Sequence, residues 1–114
     1  MVKVFVSKIL TKEIKKHFPV KQTLEIADLF ESLTTSPQKG KSLSSVGGIV
    51  VKELKYGVFR FYFITDGHII KFGTQDEFAN LIIKFVRMSD KKNQQKTIDE
   101  IKNVLRTFGF DNFS

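Results

Sequence analysis

Val51-Lys52-Glu53-Leu54-Lys55-Tyr56-Gly57-Val58-Phe59-Arg60-Phe61-Tyr62-Phe63 is the stretch that decides the fold. Apolar and polar residues alternate around a glycine, the pattern of two strands joined by a tight turn. With Tyr56-Gly57 as a two-residue turn, glycine supplies the positive φ that hairpin turns need. Counting back from the turn sets Leu54 opposite Phe59, Glu53 opposite Arg60, Lys52 opposite Phe61 and Val51 opposite Tyr62. Successive side chains of a strand point to opposite faces. Phe59, Phe61 and Phe63 therefore share one side, and Glu53, Lys55, Arg60 and Tyr62 share the other. The hairpin predicts a sheet with a phenylalanine core face and a polar face that carries an acid, two bases and a phenol.

Working outward, Asp66-Gly67 is a type I′ turn signal leading into a strand from His68 to Phe72. That pairing sets Tyr62 opposite Lys71 and Phe61 opposite Phe72, so Lys71 joins the polar face and Phe72 the phenylalanine face. Gly73 to Asn80 reads as a loop or short helical excursion, and Leu81 to Val86 as a further strand ending near Arg87. On the other side, Gln38 to Gly48 reads as a Gly/Ser/Lys-rich loop after Pro37. Val2 to Val6 has the β-branched character of a short strand. Leu10, Ile14, His17 and Phe18 follow at helical spacing, with His17 on the apolar face and Pro19 closing the segment. Thr23 is placed to cap a second helix whose buried face is Ile26, Leu29, Phe30 and Leu33. Thr97-Ile98-Asp99-Glu100 has the form of a capping box. It opens a last helix with Ile98, Ile101, Leu105 and Phe108 inward and Gly109 as its stop. The predicted order is β-α-α-β-β-β-β-α. This is an α+β fold, one domain over residues 1–114, with a single curved antiparallel meander backed by the N-terminal helices and a C-terminal helix.

A chain of 114 residues supports one hydrophobic core, and twelve phenylalanines without a tryptophan build it largely on phenyl rings. Nineteen basic against twelve acidic residues give a net charge of +7. That balance favours an anionic partner: nucleic acid, an acidic protein or a membrane surface. The absence of cysteine excludes disulfides, thiolate catalysis and cysteine-ligated zinc. Two histidines, His17 and His68, are too few for a metal site, so neither metal nor cofactor is expected. No apolar run approaches the ~20 residues that span a membrane. Met1-Val2-Lys3-Val4-Phe5 is too short for a signal peptide, and the expected location is cytoplasmic with no membrane partner.

The polar face has an ordinary reading. A cross-strand Glu–Arg pair stabilises a sheet by ~0.2–1 kcal/mol with no function implied, and a tyrosine beside it packs with its hydroxyl in water. Other features point further. Gly40-Lys41-Ser42-Leu43, then Glu53-Leu54-Lys55, then Phe59-Arg60-Phe61-Tyr62, then Lys91-Lys92 and the helix at Glu100-Ile101 together resemble the RelE/ParE toxin superfamily, in its HigB-like, phage-derived subgroup. There a Gly-x-x-Leu loop precedes a Glu-Leu-(Arg/Lys) strand. A Tyr/Phe-Arg-x-x-Tyr-like strand follows, and a Lys-Lys pair leads into the last helix. Lys91-Lys92 stands eight residues before Glu100-Ile101, as in the subgroup. The resemblance covers residues 40 to 105.

The resemblance implies a small bacterial toxin, held by a cognate antitoxin, that cuts mRNA on the translating ribosome. Such cleavage drives the 2′-hydroxyl at its own phosphate and needs fixed cations for the charge that develops. Arg60 then serves as the phosphate-binding catalytic cation, Glu53 as its orienter or as the proton acceptor, and Tyr62 as a base-stacking or phosphate-donating group. Lys55, Lys71, Arg87, Lys91 and Lys92 line the RNA path. Two alternatives stand beside this reading. Active members of the ribonuclease branch often carry a Tyr or His near the C-terminal end, whereas the tail Thr107-Phe108-Gly109-Phe110-Asp111-Asn112-Phe113-Ser114 has neither. A non-catalytic module of the same fold, binding gyrase or another protein, fits that tail. A generic basic nucleic-acid-binding domain fits the charge.

Overall fold

The computed structural model describes all residues from Met1 to Ser114. The chain runs β1 (Lys3–Val6), α1 (Lys8–His17), α2 (Val20–Glu31), a 3₁₀ turn (Ser32–Thr34), β2 (Lys41–Val46), β3 (Ile49–Tyr56) and β4 (Phe59–Asp66). It continues through α3 (Gly67–Phe72), α4 (Gln75–Ala79), β5 (Ile82–Asp90) and α5 (Gln94–Phe108). The fold is α+β, as expected, but its sheet is five-stranded and mixed. The strand order is β1-β5-β4-β3-β2, with β1 parallel to β5 and the other neighbours antiparallel. The two α helices between β1 and β2 let the chain cross from one sheet edge to the other.

The central hairpin forms with its turn one residue later than predicted. Tyr56 pairs with Phe59, and Gly57-Val58 makes the turn with Gly57 at φ 58°. Glycine in the first central position is the type II′ arrangement. The shift lets the Tyr56 ring pack edge-on against Phe18 at 6.0 Å between centroids. Each partner moves by two residues, so the division of faces survives while the pairs change. Glu53 lies opposite Tyr62, and Arg60 lies opposite Lys55. The predicted Glu53–Arg60 pair is not formed.

Several other expectations are corrected. Asp66-Gly67 is a helix start instead of a hairpin turn. The Asp66 carboxylate accepts from the amides of His68 at 2.9 Å and Ile69 at 3.0 Å, which is N-cap geometry. His68 to Phe72 is therefore helical, Lys71 lies off the sheet, and Phe72 is 67% exposed. Part of the segment read as a loop, Lys41–Val46, is the edge strand β2, with an irregularity between Ser42 and Ser44. Its serine- and lysine-rich sequence lacks the apolar alternation of a strand because it is paired on one side only. β5 extends to Asp90. Thr23 lies inside α2, whose cap position is Pro19. Thr97 lies one turn inside α5, donating its hydroxyl to the Asn93 carbonyl at 3.0 Å. Gly109 does end α5, at φ 78°, but Phe108 is exposed. His17 is also exposed.

Two cores sandwich the sheet. On the phenylalanine face, Phe61, Phe63 and Phe85 pack with Leu10, Ile14, Phe18, Ile26, Phe30 and Leu33 from the N-terminal helices. Phe30 and Phe85 stack at 3.7 Å between centroids. On the other face, Val51, Tyr62, Ile64 and Val86 pack under Ile98, Ile101 and Leu105 of α5. The face predicted to be polar and open is therefore largely roofed by a helix. No helix of the chain is long and apolar enough to cross a membrane.

Candidate functional site

The α5 side of the sheet is organised in cross-strand rows. Nearest the hairpin tip, Lys55, Arg60 and Ser89 lie side by side on β3, β4 and β5. The next row is Lys41, Glu53, Tyr62 and Arg87. The third begins the apolar floor with Val51 and Ile64, flanked by Lys84. Helix α5 starts over the second row, where Gln94 donates from its amide to Glu53 Oε2 at 3.0 Å. The first row lies at the tip end, ahead of the helix.

Burial divides the predicted residues sharply. Tyr62 is fully buried and its hydroxyl hydrogen-bonds the Ser89 hydroxyl at 2.8 Å. Burial raises the Tyr62 pKa above the ordinary tyrosine value. The Ser89 hydrogen bond and Arg60 pull it down, while Glu53 and Asp90 reinforce the rise. Glu53 is 3% exposed beneath Gln94. Arg60 is half-buried. Its Nη1 donates to the Phe59 carbonyl at 3.3 Å, and its Nε is buried with no acceptor in the protein. Lys55, directly opposite, is exposed.

Lys91 and Lys92 follow β5 at the same end and line a cleft of about 510 Å³ between β2 and α5, together with Lys102, Gln94 and Gln95. The β5–α5 turn that carries them is held by Asp90, whose Oδ1 accepts from both the main-chain and side-chain nitrogens of Asn93 at 2.9 Å. Those two hydrogen bonds, with Lys92 adding to them, lower the Asp90 pKa.

Arg87 and Lys71 stand apart. Arg87 is buried; its Nε pairs with Glu100 at 3.0 Å, Nη1 donates to the Val86 and Ser114 main-chain oxygens, and the guanidinium lies 4.9 Å from the Phe113 ring. It ties β5, α5 and the C-terminal segment together. Lys71 lies on α3, at the far end of the sheet from the hairpin tip. The structure thus brings together Lys55, Arg60, Glu53 and Tyr62, with Lys91 and Lys92 near them through Gln94. Ser89, Asp90 and Gln94 were missed in the sequence. Extending the alternation of β5 past Arg87 would have found Ser89; Gln94 carried no local signal because its role depends on where α5 begins.

Chemically, this end of the molecule offers cations that form no ion pair, although Asp90 lies near Lys92. The one ion pair in the chain is Arg87–Glu100, so neither Lys55 nor Arg60 is neutralised. Like charges directly opposite each other destabilise a sheet, and an anion bound across them relieves that cost. No protein family, curated protein or solved structure matches this chain.

Proposed function

We propose that this chain is a RelE/ParE-like toxin of the HigB-like type, an endonuclease that acts on mRNA at the ribosome and is neutralised by a cognate antitoxin. One observation carries the reading: the unpaired Lys55–Arg60 cross-strand pair at the open end of the sheet, beside the Lys91-Lys92 turn. The element order supports it, a strand and two helices followed by a meander and a closing helix, with α3 and α4 inserted before β5.

Arg60 is the catalytic residue in this account. Its planar guanidinium, on a rigid central strand, suits the non-bridging oxygens of a phosphate attacked by the neighbouring 2′-hydroxyl. Lys55, Lys91 and Lys92 hold the flanking backbone. Glu53 and Tyr62 act as positioning residues, because burial removes them from the reacting atoms. Arg87 is structural. The test is a reconstituted translation reaction with purified protein. Cuts inside the translated frame that require ribosomes, and that disappear with Arg60→Ala, support the proposal; intact mRNA refutes it.

A second reading is favoured by the same burial. With Glu53 covered by Gln94 and Tyr62 bonded to Ser89, neither the carboxylate nor the phenol of the row beside Arg60 stands exposed. A non-catalytic module using the basic end to bind RNA or an acidic protein surface fits that geometry. It predicts binding without cleavage.

A further inference from the structure

A separate groove lies on the other face of the sheet and at its other end. It has a volume of about 710 Å³ and runs between the β2–β3 edge and α3, with Gln38, Ser42, Ser45, His68 and Lys71 among its walls. Three observations converge on it. The first is Lys52, 3% exposed and without an acidic partner. Its ammonium donates to the Gln38 carbonyl at 3.0 Å and stands 5.8 Å from the centroid of the Phe63 ring. Gln38, the cross-strand partner Ser42, and Val50 two residues along the same strand all line the groove, so this buried charge lies directly behind its wall.

The second is an exposed aromatic pair on α3. The His68 and Phe72 rings lie 5.5 Å apart, and Phe72 is 67% exposed. At that exposure the Phe72 ring offers surface for stacking beside the groove. The third is Lys71, whose ammonium stands 5.5 Å from the centroid of that ring. It is exposed and sits in the groove wall.

We propose that this groove is a second contact for single-stranded nucleic acid, with a backbone phosphate held by Lys71 and the groove's serine hydroxyls, and a base stacked on Phe72. An uncompensated buried cation raises the local positive potential and draws an anion toward the wall in front of it. Stacking platforms beside basic grooves are how proteins hold single strands without reading sequence. The inference rests on the reading of the chain as RNA-acting and extends it, since the groove is remote from Arg60 and would hold a different part of the same strand.

The experiment is fluorescence anisotropy of a short labelled single-stranded RNA titrated with wild type, Phe72→Ala, Lys71→Ala and Arg60→Ala. Both α3 positions are exposed, so the fold is not at stake, and circular dichroism checks it. Phe72→Ala weakens binding roughly tenfold. Lys71→Ala weakens it and flattens the salt dependence by about 0.7 in log–log slope. Unchanged affinity in both variants overturns the inference, as does a wild type that does not bind the strand. Failure of the proposed function looks different: binding in vitro stays dependent on Phe72 while mRNA remains uncut.

Discussion

Replacing Lys52 by methionine should make the protein more stable. Its buried ammonium has given up water for one carbonyl and the face of one ring. The effective penalty for desolvating such an ion is several kcal/mol. A hydrogen bond from a charged donor returns about 1.5–3 kcal/mol, and the contact with Phe63 about 1 kcal/mol. Methionine keeps the buried stem and adapts to the site, at the cost of the Gln38 carbonyl partner. The net expectation for Lys52→Met is a gain of about 1 kcal/mol, read as a higher urea midpoint at unchanged slope.

The pH dependence gives the sign a second check. Burial lowers the Lys52 pKa from its ordinary value near 10.5. Below the lowered folded value the lysine is charged in both folded and unfolded states, and the penalty is fully present. Between the lowered folded value and the unfolded one, the unfolded chain holds the extra proton, and wild-type stability attributable to this group rises with pH. The advantage of Lys52→Met therefore shrinks as pH approaches 10.5. A variant less stable than wild type by 2 kcal/mol or more at neutral pH would refute the reasoning. So would an advantage that stays constant on alkalinisation.

Tyr62→Phe removes the buried bond to Ser89 and should cost about 1–2 kcal/mol in urea unfolding. Because burial raises the Tyr62 pKa, its contribution is intact below the unfolded value near 10 and is lost as pH rises beyond it, so the deficit of the variant narrows there. Gly40→Ala should lose about 2–4 kcal/mol: φ is 97°, and a Cβ would stand 2.9 Å from the Glu53 carbonyl and 3.0 Å from the Phe63 ring. Arg87→Ala should cost about 2–3 kcal/mol through the lost packing of its stem and its carbonyl and ring contacts. Glu100→Ala should cost about 1–2 kcal/mol: the carboxylate is 54% exposed and screened by water, but its loss leaves the buried Arg87 guanidinium with only main-chain acceptors.

The fold was legible where alternation and helical spacing are strong. The Phe61/Phe63 face, the Ile26/Phe30/Leu33 stripe and the Ile98/Ile101/Leu105 stripe were read correctly, because each pattern reports burial directly. What failed were features decided by competition between elements. Tyr56-Gly57 and Gly57-Val58 are both plausible turns, and the aromatic contact with Phe18 selects the second. Asp66-Gly67 serves equally as hairpin turn or helix cap; Ile69 and Ile70, partly buried against the phenylalanine core, decide for the helix. The covering of the polar face by α5 marks β3 and β4 only at Val51 and Ile64, and nothing at Glu53 or Tyr62, which therefore read as open to solvent. Alternation set Lys52 on the phenylalanine face and Lys55 on the other, but nothing local showed that the Lys52 ammonium would be buried against the Gln38 carbonyl.

Induced expression in a bacterial host, wild type against Arg60→Ala, with new mRNA 5′ ends mapped across the transcriptome, tests the central claim most directly. The account predicts growth arrest with cuts inside translated frames for wild type, and neither for Arg60→Ala at equal soluble level. Normal growth and intact mRNA with soluble wild-type protein would contradict it and leave the binding module.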